Sequence, residues 1–167
     1  EPVAELAEPI VMAVRPGGDE RVYVGERAGV VRDLSLADGS SEVVLDISDQ
    51  TTVEAERGLL GLAVDPAGER LYVSYTNTDG DTRIDEYGID DDGAVDEGSR
   101  RVVFAQDQPF PNHNGGNVVF GPDGYLYVGL GDGGDRADPL LAGQDRSQLL
   151  GSLLRIEEPD FVGKEAP

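Results

Sequence analysis

A unit of about 50 residues repeats along this chain and limits its possible folds more than any other feature. A hydrophobic residue, a tyrosine and a valine recur in three places, and their tyrosines, Tyr23, Tyr72 and Tyr127, lie 49 and 55 residues apart. Short apolar runs and turns rich in glycine, proline and aspartate surround each copy. A self-similar unit of this length, with four short strands, is typical of a β-propeller blade.

The apolar runs predict short β-strands and no amphipathic helix longer than two turns. In chain order the predicted strands are 10–14, 21–24, 29–34, 42–47, 59–64, 70–75, 83–87, 100–105, 116–120, 125–128 and 152–156. The predicted turns between them include 15–19, 37–40, 65–68, 90–93 and 121–124. We therefore predict an all-β chain of four-stranded antiparallel propeller blades, divided approximately into residues 1–55, 56–108 and 109–167.

Three blades are too few for a closed propeller, which needs about four to eight. A free arc of three blades would leave two apolar faces in water. We therefore expect either a missing C-terminal half or a second copy of the chain to complete the ring. The tail, 157–167, stops without a closing strand, which favours a shortened chain. A compact β-sandwich of three repeats is the alternative fold.

The charge balance excludes whole classes of partner. The chain has 34 acidic and 13 basic residues, a net charge of −21, and Lys164 is its single lysine. Such a surface repels nucleic acid and anionic membranes, so we expect neither as a partner. An acidic surface poor in lysine indicates a salt-adapted source, and an ordinary acidic secreted protein is the alternative.

The chain has no cysteine, which excludes disulfides, thiolate chemistry and cysteine-based zinc sites and leaves the redox compartment undecided. No apolar run approaches the roughly 18 residues that span a membrane. The first residues do not resemble a signal peptide, so one was either removed or never present.

One stretch gathers the residues that could carry chemistry. His113, the only histidine, lies between two asparagines and just before a Gly-Gly pair. A predicted hairpin follows, and then a glycine-rich loop with Asp132 and Asp135. Because both flanking loops leave a hairpin at the same end, we expect a base and a carboxylate at one rim of a sheet. A turn histidine beside a solvated aspartate is the alternative.

Five stretches, taken together, resemble the soluble glucose/sorbosone dehydrogenase family. They are 26–32, 56–63, 112–116, 120–134 and 149–156, in the family's order. The resemblance implies the N-terminal half of a six-bladed propeller that uses pyrroloquinoline quinone to oxidise aldose sugars, in a periplasmic or secreted location. Two departures stand out: a short spacer near 159–160, before a family-like segment at 161–163, and the absence of everything after Pro167. The absent half would supply an active-site arginine, most cationic contacts to the quinone and the calcium ligands.

The resemblance also implies roles for individual residues. His113 would take the proton of the sugar C1 hydroxyl while the C1 hydride passes to the quinone, and Asp132 would orient and charge that histidine. Glu56 stands where relatives place a glutamine or glutamate facing the substrate pocket, with an ion pair to Arg57 as the alternative. Arg57 is also a local cation for the quinone. Asn114 would either line the pocket or shape the loop.

Two other kinds of motif give weaker evidence of function. The G-x-G-x-x-G pattern at 129–134 precedes an acidic segment broken by proline, so no dinucleotide site is expected. The acidic clusters at 79–81, 90–92 and 132–138 offer oxygen ligands for calcium, but none has the EF-hand spacing. Solvated turn carboxylates are the default interpretation, and the metal ligands stay unassigned.

The main alternative function is that of a binding or scaffold protein. A propeller of the same lineage that has lost catalysis, or a half-propeller that pairs with itself, would show the same repeat.

Overall fold

A computed structural model describes residues 3–15 and 20–157. Its strands match the predicted ones in number and order. They are β1 Pro9–Val14, β2 Arg21–Glu26, β3 Val30–Ser35, β4 Ser41–Asp46, β5 Leu59–Val64, β6 Arg70–Thr76, β7 Thr82–Ile89, β8 Val95–Gln106, β9 Gly115–Phe120, β10 Leu126–Leu130 and β11 Leu153–Ile156. Most of the predicted turn at 15–19, the tail from 158, the segment 161–163 and Lys164 lie outside the described residues.

The strands form three antiparallel sheets, each built from neighbours in sequence. The first is ordered β1-β2-β3-β4, the second β5-β6-β7-β8 and the third β9-β10-β11. Four strands per sheet are therefore present in the first two sheets, and the third has three within the described residues. The predicted all-β propeller architecture of about three blades is confirmed, and the β-sandwich is not found.

Two apolar cores lie between successive sheets. The first joins sheets one and two, and its fully buried members include Tyr23, Val31, Leu45, Leu59, Leu71 and Tyr75. The second joins sheets two and three, and its buried members include Tyr72, Ile84, Phe104, Val118, Leu126 and Val128. Strand β5 contacts both β1 and β9, so the first strands of the three blades are neighbours. This is the radial stacking in which each blade buries its faces against the next.

The first two of the repeated tyrosines contact the next blade. The Tyr23 hydroxyl donates to the carbonyl of Gly93, in the β7–β8 turn of the next blade, at 2.8 Å. Tyr72 meets Phe120 of the third blade edge to face, with ring centroids 5.1 Å apart. Both tyrosines are fully buried, whereas Tyr127 in the third blade is only partly buried. Tyr23 and Tyr72 thus pack against the next blade, and Tyr127 lies where a further blade would follow.

Both ends of the row of blades expose apolar side chains. On β1, Met12 is 60% exposed, and Ile10 and Val14 lie on the same face. At the other end, Leu153 on β11 is 72% exposed and Val119 on β9 is also exposed. Within the described residues, both faces that would be internal in a ring thus keep exposed apolar side chains, although Ala4 and Leu6 pack over Val22, Val24 and Leu34 of the first sheet.

Helix is nearly absent from the described residues. Two short 3₁₀ turns occur, at Ser48–Gln50 and Ala142–Gln144, and neither was predicted. Within residues 3–15 and 20–157, no helix has the length and apolar character needed to cross a membrane.

Candidate active site at the rim of blades two and three

Three loops meet at one end of the second and third blades. They precede β5, precede β9 and follow β10. Because β9 and β10 are antiparallel, the start of one and the end of the other lie at the same edge, with Leu130 opposite Gly115. The loops bring Glu56, His113 and Asp132 together, although Glu56 and His113 are 57 positions apart in sequence.

The imidazole of His113 is paired with the carboxylate of Asp132. Nδ1 of His113 lies 2.9 Å from Oδ1 of Asp132. The same Oδ1 accepts the backbone N–H of Gly134 at 2.9 Å. That backbone hydrogen bond is the largest cause that holds the pKa of Asp132 below its usual value, burial acts in the opposite direction, and the hydrogen bond from His113 lowers it further.

The pairing determines which ring nitrogen is available for chemistry. An ionised carboxylate only accepts hydrogen bonds, so we assign the proton to Nδ1. Nε2 then carries the lone pair. The His113 side chain is 42% exposed, so the ring is accessible to a substrate. A positioned imidazole with a free ring nitrogen can act as a general base.

The backbone of His113 is fixed separately from its ring. Its φ is +54°, a left-handed conformation that costs a non-glycine residue roughly 1–3 kcal/mol. The His113 N–H donates to Oε2 of Glu56 at 2.6 Å, and its carbonyl accepts the N–H of Gly133 at 3.3 Å. A Cβ on Gly131 would lie 1.8 Å from the His113 carbonyl oxygen, so only glycine fits there.

Glu56 lies beside His113, and its carboxylate has one oxygen in use. Its Oε2 accepts the His113 N–H, and its own N–H donates to the carbonyl of Pro111 at 3.2 Å. The residue is exposed at the rim. Glu56 therefore anchors the histidine loop from the preceding blade while remaining accessible to solvent.

Arg57 points away from that pair. Its Nη1 lies 3.5 Å from a carboxylate oxygen of Glu54 rather than from Glu56. Its guanidinium packs against the turn at Gly80, where an added Cβ would lie 2.5 Å from Nη2. The alternative ion pair between Glu56 and Arg57 is not among the ion pairs of the described residues.

Asn114 is 1% exposed, which leaves its side chain no open contact with solvent. Its Nδ2 donates to the carbonyl of Phe110 at 3.3 Å. Its own carbonyl accepts Nε2 of Gln108 at 3.3 Å and the N–H of Gly131 at 3.4 Å. These contacts shape the histidine loop from within.

Sequence reasoning missed the polar layer beneath this loop. Gln108, Thr82 and Ser74 are buried there, and Gln108 Nε2 bridges Thr82 Oγ1, at 2.9 Å, and the Asn114 carbonyl. A Cβ on Gly116 would lie 3.1 Å from Ser74 Oγ. No local motif distinguishes these residues, since their partners come from other strands.

In two of the acidic clusters a carboxylate binds the turn that contains it, whereas Asp81 in the third accepts the N–H of the distant Gln108 at 3.0 Å. Asp90 Oδ1 accepts the N–H groups of Asp92 and Ala94, and the Asp138 carboxylate accepts those of Ala142 and Gly143. In the described part of the chain, no group of three or more acidic or histidine side chains is arranged to hold a metal ion.

The chain is similar in sequence and in structure to known proteins. A family profile described as Glucose / Sorbosone dehydrogenase matches residues 6–167. The chain is 33% identical to the Hedgehog-interacting protein of Homo sapiens over 177 residues, and 26% identical to the aldose sugar dehydrogenase YliI of Escherichia coli over 171. It superposes on the PQQ-bound aldose sugar dehydrogenase of Streptomyces coelicolor with a TM-score of 0.77 and 31% identity.

These matches cover nearly all of this chain but less than half of each relative. The alignments take in 94%, 98% and 90% of this chain, respectively. They take in only 25% of the human protein, 44% of the Escherichia coli protein and 45% of the Streptomyces chain. The chain thus spans between a quarter and a half of the length of these relatives.

Proposed function

This chain belongs to the glucose/sorbosone dehydrogenase family, and we propose that the complete protein oxidises the C1 hydroxyl of aldose sugars with His113 as the base. The observation that carries the proposal is the His113–Asp132 pair, with Nδ1 and Oδ1 2.9 Å apart and the ring accessible at the rim. The name of the structural relative, an aldose sugar dehydrogenase, supports the substrate class.

Each residue of the pair has a defined task in this proposal. Nε2 of His113 accepts the C1 hydroxyl proton, and the Asp132 carboxylate stabilises the imidazolium that forms. Pyrroloquinoline quinone, when bound, supplies the acceptor for the C1 hydride, so the sugar leaves as its lactone. Glu56 holds the His113 backbone through Oε2, and we propose that its other oxygen faces the substrate.

The chain fits the proton-handling part of such a site better than the part that holds the quinone. The carboxylates of the quinone require cations, yet Asp132 and Glu56 are the charged partners of His113, and Arg57 is turned toward Glu54. We propose that the remainder of the complete protein supplies the cations. Calcium, implied by the family resemblance, would likewise find its ligands outside the described residues.

We propose that the remainder of the ring covers the two apolar end faces. A C-terminal half in the same polypeptide is favoured because the structural relative is about twice as long as the part matched. A second copy of this chain is the alternative. Native mass of the complete gene product distinguishes the two, since a monomer is expected in the first case and a dimer of half-rings in the second.

A direct test is reconstitution of the complete protein with pyrroloquinoline quinone and calcium, followed by dye reduction with a panel of aldoses. We expect reduction that requires both the quinone and a sugar. The location that we propose, periplasmic or secreted, is checked by fractionation of the source cells.

A second function, that of a non-catalytic binding or scaffold protein, has one specific observation in its favour. The human relative at 33% identity is named for a protein interaction rather than for a reaction. The absence of dye reduction by a folded complete protein, together with no binding of the quinone, would favour this function.

A further inference from the structure

The guanidinium of Arg27 is bound to the backbone of the loop that carries Glu56. Arg27 follows β2 of the first blade. Its Nε donates to the carbonyl of Arg57 at 3.0 Å, and its Nη2 donates to the carbonyls of Val53, at 3.1 Å, and Ala55. One side chain therefore binds alternate carbonyls of the segment 53–57.

Only arginine matches this arrangement. The carbonyls of Val53, Ala55 and Arg57 converge on the cation, and Ala55 has a φ of +52°. A planar guanidinium presents several donors in a fixed fork, whereas a lysine ammonium is a compact point charge. The stem of Arg27 also lies against Gly58, where a Cβ would be 2.6 Å from the Arg27 Cγ.

Arg27 differs from several other arginines of this protein because its guanidinium binds backbone carbonyls instead of a carboxylate. Acidic residues outnumber basic ones by 34 to 13, and Arg21, Arg32 and Arg101 each pair with a carboxylate. In the described part of the chain no carboxylate pairs with Arg27, and each of its side-chain hydrogen bonds goes to a backbone carbonyl. Its positive charge thus stabilises a loop rather than neutralising an acid.

That loop holds the strained histidine. Glu56, which belongs to this segment, accepts the N–H of His113 and donates its own N–H to the carbonyl of Pro111. A left-handed residue persists only where its surroundings fix it. Glu56 can hold His113 only if the segment 53–57 is itself held, and Arg27 is the side chain that binds this segment at alternate positions.

We propose that Arg27 is a positioning residue for His113, acting from the first blade through the segment 53–57 and Glu56. Its effect on turnover rests on the proposed function, whereas its effect on the histidine loop does not. The positioning is therefore measurable without substrate or quinone.

The test is amide hydrogen exchange in the 167-residue chain, comparing Arg27→Gln and Arg27→Lys with the wild type. Loss of the fork should speed exchange of the His113, Glu56 and Arg57 amides, which donate hydrogen bonds, about tenfold, with the core strand β6 unchanged. The exchange rates in Arg27→Lys should be nearer to those in Arg27→Gln than to those of the wild type, because lysine keeps the charge but cannot replace the fork of donors. Arg83→Gln is the charge-matched control, since among residues 3–15 and 20–157 the Arg83 guanidinium donates only to the neighbouring Thr82 carbonyl, at 3.1 Å.

Unchanged exchange at the His113 amide in both Arg27 variants would overturn the proposal. An equal rise at every amide, β6 included, would also overturn it, because it would reveal only general destabilisation. If Arg27→Gln does not fold, the same two criteria apply to Arg27→Lys.

In the complete protein, Arg27→Gln should lower kcat about tenfold because the base is misplaced, with a smaller rise in KM because Glu56, on the same segment, faces the substrate in the proposed function. A wild type without dehydrogenase activity would contradict the proposed function and leave the exchange result as the test of positioning. An active wild type with unaltered kcat in Arg27→Gln would contradict the role of Arg27 in turnover.

Discussion

At the residue scale, two carboxylates divide the work of holding one histidine. Asp132 binds the ring of His113, and Glu56 binds its backbone N–H. The ring and the left-handed backbone are therefore fixed from different blades. A change at either carboxylate should alter the histidine without exposing a core residue.

The pKa of Asp132 offers a test of this division. The pKa lies below the usual 3.8, chiefly because of the Gly134 N–H and then because of His113. The stabilising charged form is therefore present above pH 3.8 and is lost as the pH falls through the lowered value. In His113→Ala we expect the pKa of Asp132 to rise while remaining below 3.8, as measured by NMR titration of its carboxyl carbon.

Asp123 serves as an internal control in the same spectra. Burial raises the pKa of Asp123, but hydrogen bonds from Tyr127, the Tyr125 N–H and Arg155 lower it below the usual value on balance, and none of them involves the rim. If the pKa of Asp132 returned fully to 3.8 in His113→Ala, the hydrogen bond from the Gly134 N–H would contribute little to the lowered pKa.

The residues of the site differ in how far the sequence could reveal them. The approach of His113 and Asp132 follows from the hairpin between them, because antiparallel strands bring both flanking loops to one end. The contacts of Arg27 and Gln108 do not follow, since their partners are backbone carbonyls or residues on distant strands. Every residue has a backbone carbonyl, so a side chain that donates to one leaves no recognisable pattern of residue types in the sequence.

At the element scale, strands were easier to predict than their ends. Every strand was located, because alternating burial such as that of β10 follows from the pleat. Strand β8 runs Val95–Gln106, whereas the sequence predicted 100–105. The extra residues are mostly exposed and polar and include Gly98, so hydrophobic periodicity could not show that Val95 pairs with Ile89.

Gly129, inside β10, and Gly131, in the loop after it, form a matched pair of glycines for a stability test. A Cβ on Gly131 would lie 1.8 Å from the His113 carbonyl oxygen, whereas one on Gly129 would lie no nearer than 3.9 Å to the Asn117 carbonyl oxygen. Gly131→Ala should therefore lower the free energy of unfolding by about 1–3 kcal/mol. It should also shift the ring resonances of His113, which are unambiguous because the chain has one histidine.

Gly129→Ala is the control and should change the free energy of unfolding by less than about 0.5 kcal/mol. Denaturant titration measures both variants. Equal stability of the two would mean that the close packing of the loop against His113 is not as described.

At the scale of the whole molecule, charge and apolar end faces set the conditions for stability. The net charge of −21 repels itself in dilute buffer, and salt screens that repulsion. We propose a salt-adapted protein and expect its Tm to rise from dilute buffer to molar potassium chloride. Each kcal/mol of relief should add about 2–4 °C.

A variant with fewer surface charges separates screening from general salt effects. Asp91, Glu97 and Asp107 are exposed, and their carboxylates take part in no hydrogen bond or ion pair within the described residues. Asp91→Asn, Glu97→Gln and Asp107→Asn together should reduce the response of Tm to salt. A flat Tm for the wild type, or an equal rise for both proteins, would contradict salt adaptation by charge.

We propose that the His113–Asp132 pair is the base of a sugar dehydrogenase, and steady-state turnover of His113→Gln in the complete protein tests this role most directly. Glutamine keeps a polar side chain but lacks the basic nitrogen, so kcat with aldoses should fall at least about a hundredfold while Tm stays close to the wild-type value. Turnover at the wild-type rate in a folded His113→Gln protein would contradict the account.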